Sequence, residues 1–331
     1  MPKKPLEDDL VQRIARAGAF RSRPQLRLGI GDDAALLAAR PGYETILTCD
    51  WFLEGSHFLR GKHPADSVGW KCLARAVSDI AAMGGYPTYF LLSLALPTSL
   101  TGRWLDDFLG GLRRAARRFE CSLVGGDTTQ RREVLASVTV VGEVRAGRAL
   151  RRSGAKAGDL IFVSGRLGEA ALGLQTLRRG ARGLRTGDPA LRKHLYPEPR
   201  LALGQWLATT RIASSMMDLS DGLSSDLPRL CAASGVGARI AAVQIPQAKM
   251  PGKDSKKGTN ALQLALNGGD DYELLFTVNR RNGSRVPRSF RGLALTQIGE
   301  ITHQRKIVLV QEDGRERRLL PQGWDSFRRG K

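Results

Sequence analysis

A chain of 331 residues with 42% hydrophobic content is long enough for two domains of ordinary size and can bury a sizeable core. Its 52 Lys and Arg against 32 Asp and Glu leave a formal charge of +20, which raises nucleic-acid binding. The arginine pairs are scattered along the chain with few aromatics between them, so a single-strand-binding surface is disfavoured. The longest apolar stretch, around YFLLSLALP, is too short to span a bilayer, and the N-terminal MPKKPLEDDLVQRI lacks the apolar core of a signal peptide. None of the four cysteines, Cys49, Cys72, Cys121 and Cys231, forms a C-x-x-C pair, which points to a reducing, cytoplasmic setting without structural zinc or disulfides.

In chain order, TILTCD (45–50) is a short β-branched run that predicts a strand ending at Asp50. DSVGWKCLARAVSDIAAMGG (66–85) has helical periodicity and stops at a glycine pair. YFLLSLAL predicts a strand. TGRWLDDFLGGLRRAARRF predicts an amphipathic helix with Trp104, Leu105, Phe108, Leu112, Ala115 and Phe119 as its apolar stripe and its arginines on an exposed face. VLASVTVVGEV is a further strand. A Gly-rich, basic segment then marks a boundary near residue 150, dividing a domain at 1–150 from one at 151–331. Beyond it, DLIFVSG predicts a strand, with helices near 167–179 and 198–209. The stretch SSMMDLSDGLSSDLPRLCAASG reads as strand, acidic turn and helix, and PQAKMPGKDSKKGTN as a polar loop. YELLFTV and KIVLV are strands. The alternation gives an α/β (or α+β) chain in two lobes.

Six stretches place Asp next to, or two residues from, Gly, Ser or Thr near the end of an element. They hold Asp32 and Asp33 (GIGDDA), Asp50 (LTCDWF), Asp79 (VSDIAAMGG), Asp127 (GGDTT), Asp218 with Asp221 (MDLSDGL), and Asp270 with Asp271 (GGDDYELLF). One such Asp is an ordinary cap or turn residue. Six are harder to assign so, and converged carboxylates repel unless cations sit among them. Hard oxygen ligands suit Mg²⁺, which commonly combines a few carboxylates with water and substrate phosphates, while arginines meet the remaining phosphate charge. No P-loop, no kinase H-R-D or D-F-G set and no metal-ligand histidine spacing is present, and GIGDDA is a poor dinucleotide fingerprint because its acids face a pyrophosphate.

In order, GIGDDAALL, TCDWFLEGSHF, KCLARAVSDIAAMGG, GGDTT, RRSGAKAGD, MDLSDGLSSDL, GGDDYELLFT and GWDSF resemble the thiamine-monophosphate kinase family, from about residue 28 to residue 327. The resemblance implies the two-lobed aminoimidazole ribonucleotide synthetase-like fold, with an N-terminal lobe forming a barrel across a homodimer and a C-terminal α/β lobe. It implies ATP-dependent phosphorylation of thiamine monophosphate to thiamine diphosphate by direct in-line transfer, with several Mg²⁺ ions and no covalent nucleophile. Carried over by position, it implies metal ligation at Asp33, Thr48, Cys49, Asp50, Asp79, Asp127, Asp218 and Asp221. It implies ATP contacts at Gly126, Asp127, Arg152 and Ser220, and substrate contacts at His57, Asp270 and Trp324. The chain departs from the family's usual residues at Cys49 (Thr), Ala76 (Asn), Asp270 (Glu) and Ser326 (His). Alternatives are another ATP-using enzyme of the same superfamily or an inactive member. Selenophosphate synthetase would want a reactive Cys before Cys49, and the hydrogenase maturation factor a C-terminal Cys where the chain ends RRGK. A basic nucleic-acid-binding protein is the reading from another class.

Overall fold

The computed structural model describes residues 7–18, 24–30, 34–180, 187–250 and 260–327. The chain forms two compact units, one of Met1–Ile80 with Gly85–Gly147, the other of Ala81–Gly84 with Arg148–Lys331.

The first unit runs α1 (Glu7–Gly18), β1 (Leu26–Leu28), β2 (Leu36–Leu37), β3 (Tyr43–Leu53), α2 (Ala65–Ala82), β4 (Tyr86–Leu96), α3 (Arg103–Phe119), β5 (Ser122–Gln130) and β6 (Leu135–Arg145). The strand pair β1–β2 stands apart from a four-stranded sheet in the order β3-β6-β4-β5. β4 and β5 are parallel, joined through α3, while β6 runs antiparallel to both of its neighbours. The predicted strand at 45–50 runs on to Leu53, because alternation continues through Trp51 and Phe52. Ile46 and Phe52 are buried, whereas Leu47 and Trp51 are 69% and 59% exposed. One face of β3 is thus covered and the other open. The α3 stripe is as expected at Leu105, Phe108, Leu112, Ala115 and Phe119, all buried, with Trp104 half-buried and stacked on Phe108. Arg113, Arg114, Arg117 and Arg118 are exposed.

The second unit contains β7 (Leu160–Ser164), α4 (Glu169–Arg178), α5 (Pro189–Leu195), α6 (Leu201–Thr210), β8 (Ala213–Leu219), α7 (Leu223–Ser234) and β9 (Gly237–Ala241). It continues with α8 (Ala261–Asn267), β10 (Glu273–Val278), β11 (Ser289–Phe290), β12 (Leu293–Thr302), β13 (Ile307–Val310) and β14 (Glu316–Arg318). Its sheet is ordered β14-β13-β9-β12-β7-β10-β8, with β11 beside β12, and among the described strands only the β13–β9 pair is parallel. The central strands are apolar on both faces. Ile161, Val163 and Leu275 pack with Leu223, Leu227 and Leu230 of α7. Leu160, Phe162, Leu274 and Phe276 pack with Leu203 and Leu207 of α6. That double burial explains why LIFVS and ELLFTV read as continuous apolar runs. Part of the expected polar loop at 246–260, residues 251–259, lies outside the described residues.

Candidate functional site

In the first unit, strand alternation separates the adjacent residues of TCD. Thr48 and Asp50 share the covered face of β3, under α2. Thr48 Oγ1 donates to Asp79 Oδ2 at 2.5 Å, and Arg75 Nη2 lies 3.8 Å from Asp50 Oδ1. The side chain of Cys49 turns to the opposite, open face, where its Sγ lies 3.3 Å from Ser137 Oγ. Cys49 therefore cannot share a ligand with Thr48 and Asp50 through its side chain, and only its backbone oxygen is a candidate donor. The missing threonine hydroxyl at 49 takes nothing from this group for the same reason.

GGDTT was expected near the end of an element. It lies within β5, extended by parallel pairing to β4. Register aligns Asp50, Val138, Leu92 and Gly126 in one cross-sheet row, with Asp127 in the next. Three strand spacings, about 14 Å along a flat sheet, part Asp127 from Asp50. Gly126 is required by close approach, since a Cβ there would lie 1.9 Å from the Leu92 carbonyl oxygen. His57 is half-buried and stacks on Phe52 with ring centroids 5.9 Å apart, its Nδ1 accepting the Leu53 N–H at 3.0 Å. Asp33 lies outside the described residues.

In the second unit the fold gathers four of the expected residues around one turn. β8 carries buried Asp218 near its end, and Ser220, Asp221 and Gly222 lead into α7. The Asp270 N–H donates to the Ser220 carbonyl at 2.8 Å and the Trp324 N–H to the Asp221 carbonyl at 2.9 Å. Asp270 and Trp324, more than fifty residues apart in sequence, are thus hung from adjacent carbonyls of the same acidic turn. Ser224 and Ser225 of α7 fasten the C-terminal segment through the N–H groups of Gln322 and Gly323. Trp324 is 46% exposed. Arg152 is also exposed, its carbonyl accepting from Ser234 Oγ at 2.9 Å, and does not belong to this cluster of contacts.

Sequence reasoning missed two acids here. The first is Asp226, whose Oδ2 accepts the N–H groups of Ser220, Asp221 and Gly222. Arg229 bridges its Oδ1 to Asp221. Burial and the neighbouring Asp221 carboxylate push the Asp226 carboxyl up to about 6. An acid in the first turn of a helix that opens behind a Ser-Asp-Gly turn was the available signal. The second is Glu273, wholly buried, which accepts from Ser164, Lys193 and Arg200. Burial opposes its ionisation, but Lys193 and then Arg200 outweigh it and hold the carboxyl down to about 2.

In the GGDD segment the left-handed residues are Asp270 (φ 69°) and Tyr272 (φ 49°), not the glycines at 268 and 269. The glycines are needed for room: a Cβ on Gly268 would lie 2.5 Å from the Leu264 carbonyl oxygen, and one on Gly269 2.7 Å from that of Ser220. Left-handed non-glycine backbone costs on the order of 1–2 kcal/mol per residue. It is held by Asp271, whose carboxylate accepts the Gly168 and Ala170 N–H groups at the start of α4. Burial raises that carboxyl to about 7, against the pull of Lys193 and the two amides.

Among the described residues no three His, Cys, Asp or Glu side chains come together as a metal cage. The donors that do meet, a hydroxyl and a carboxylate at Thr48 and Asp79 with Asp50 on the same face, are hard oxygens. That chemistry fits Mg²⁺, which completes its shell with water and phosphate, and does not fit a softer metal.

Two family models match the chain: AIR synthase related protein, N-terminal domain, over residues 31–144, and AIR synthase related protein, C-terminal domain, over 156–312. The two α/β lobes and their acid-bearing strands are therefore those of an AIR synthase related protein. The chain is 38% identical to the thiamine-monophosphate kinase of Escherichia coli K12 over 310 residues, 92% of this chain and 94% of that one. It belongs to the thiamine-monophosphate kinase family. The crystal structure of thiamine-monophosphate kinase from Stenotrophomonas maltophilia K279a is similar, with a TM-score of 0.78 at 36% identity, covering 92% of this chain and 96% of that one. So is AaThiL complexed with AMPPCP and TMP, with a TM-score of 0.78 at 33% identity, covering 88% of this chain and 89% of that one.

Proposed function

We propose that this protein transfers the γ-phosphoryl group of ATP to the phosphate of thiamine monophosphate, giving thiamine diphosphate and ADP. Family membership across nearly the whole chain carries the reading, and a relative's complex with AMPPCP and TMP supports both substrates. A phosphate oxygen of the acceptor attacks the γ-phosphorus in line as the bond to ADP breaks. No enzyme nucleophile takes part, so the protein's work is positioning and charge neutralisation.

Residues 1–150 serve as the ATP- and Mg²⁺-binding domain and 151–331 as the second domain. Thr48, the Cys49 backbone oxygen, Asp50, Asp79 and Asp127, with Asp33, Asp218 and Asp221, are the residues we assign to Mg²⁺. When bound, Mg²⁺ supplies positive charge against the ATP phosphates. Gly126, exposed on β5, contacts the nucleotide together with Asp127, Arg152 and Ser220. His57 and Asp270 contact the acceptor. Trp324 lays its exposed ring against the cationic thiazolium. The shared tether on the Ser220–Asp221 turn supports this assignment for Asp270 and Trp324, because both hang from adjacent carbonyls.

A homodimer fits the open face of the first sheet, where Leu47, Trp51 and Leu91 are exposed. Closure of a barrel across two copies would cover that face. No helix among the described residues is long and apolar enough to cross a membrane. The four cysteines are free, which supports a cytoplasmic location. The test is a coupled assay with purified protein, ATP, Mg²⁺ and thiamine monophosphate. Thiamine diphosphate should form only with all three present, and turnover of thiamine but not its monophosphate would sink the reading.

A further inference from the structure

We propose that Tyr272 is a positioning residue for Asp270, its hydroxyl fixing the direction in which that carboxylate meets the acceptor substrate. The inference rests on the reading of Asp270 as an acceptor contact. Tyr272 Oη donates to Asp270 Oδ1 at 2.7 Å. The tyrosine is 2% exposed and its ring is packed in place, whereas Asp270 is half-buried. The rigid member of the pair therefore orients the accessible one.

The backbone is shaped for this contact. A left-handed aspartate is tolerated, but a left-handed tyrosine is an outlier that needs enforcement by its surroundings. The enforcement comes from both ends. The N–H groups of Asp270 and Tyr272 are taken by the carbonyls of Ser220 and Leu219, and Asp271 between them is locked to the start of α4. From Glu273 onward, sheet pairing takes over. With φ positive at both 270 and 272, the hydroxyl reaches the carboxylate two residues back. A free aspartate side chain samples several rotamers. One held at Oδ1 presents Oδ2 in a single direction, which is the ordering that substrate recognition otherwise has to supply on binding.

The test is a double-mutant cycle with Tyr272→Phe and Asp270→Gly, using steady-state kinetics with each substrate varied in turn. Phenylalanine keeps the ring, and glycine suits the positive φ at 270, so neither change introduces new backbone strain. Tyr272→Phe should raise KM for thiamine monophosphate about tenfold, the scale of one hydrogen bond to a charged group, with KM for ATP and the thermal midpoint near wild type. In the Asp270→Gly background the same substitution should add almost nothing. If Asp270→Gly raises the acceptor KM but Tyr272→Phe does not, the positioning role is wrong while the acceptor contact stands. Additive effects, or equal weakening of ATP, overturn it as well. If Asp270→Gly itself leaves the acceptor KM unchanged, the acceptor contact and the positioning role both fall.

Discussion

Asp226 Oδ2 accepts the backbone N–H of Asp221 at 3.0 Å, so a buried acid holds the turn of one that we assign to a metal. The same oxygen takes the N–H groups of Ser220 and Gly222, each at 3.1 Å. Three amides on one carboxylate fix the turn from which Asp270 and Trp324 hang. Asp226→Ala should therefore lower stability by about 2–3 kcal/mol, for a buried anion's hydrogen bonds lost at once, and raise the Mg²⁺ concentration needed for half-maximal rate. Asp226→Asn, which keeps one acceptor oxygen, should fall between. Urea melts and Mg²⁺ titrations of the two variants check this. An alanine variant with unchanged Mg²⁺ demand would remove the link between Asp226 and the metal.

Stability should vary with pH in two opposing ways. Glu273 is held at about 2 in the folded state, below the ordinary carboxylate range. Its contribution is present above that range and is lost as pH falls through about 4 towards 2. Asp271 and Asp226 are raised to about 7 and about 6. Their folded forms bind protons that the unfolded chain has released, so their contribution is full below about pH 4 and declines as pH rises through 6 and 7. Urea midpoints should decline between about pH 4 and 7, and the decline should flatten in Asp271→Asn. A wild-type midpoint rising steadily across that window would contradict the assignment.

Glu273→Gln should be among the most damaging single changes in the second unit. It leaves the half-buried Lys193 and Arg200 facing a neutral amide where a wholly buried carboxylate stood. Removing one partner of a buried ion pair costs about 3–5 kcal/mol. The readout is the thermal midpoint, and a shift no larger than that of a surface substitution would show that water already compensates these cations.

Asp50→Asn and Asp127→Asn should each lose nearly all activity while remaining folded. Asp127 is exposed and Asp50 is half-buried beside Arg75, so neither substitution opens a cavity. Circular dichroism should match wild type, and a rate close to wild type at low Mg²⁺ in either variant would dismiss that residue as a ligand.

Trp51→Lys should weaken self-association without disturbing the core, because Trp51 is exposed on the open face of β3. Sedimentation velocity should show dimer for wild type and a shift to monomer for the variant. A monomeric wild type would remove the dimer from the reading.

Local pattern alone was enough for the central strands and for α3, since an apolar run or a stripe of 3.6-residue period has a single favourable burial. It was also enough to set apart the acid-bearing stretches, and their order was enough to suggest the family. Tertiary structure decided what each acid does. Asp270 and Asp271 are neighbours in sequence, yet one stays half-buried against the Tyr272 hydroxyl and the other is buried on the start of α4. Thr48, Cys49 and Asp50 read as one motif, and strand alternation divides them between two faces. Asp226 and Glu273 carry no motif of their own; their roles come from amides and cations brought in from distant parts of the chain. Residue type and spacing encode which groups can ionise. Burial and long-range partners, which exist only once the chain has folded, decide which of them stay charged and where they point.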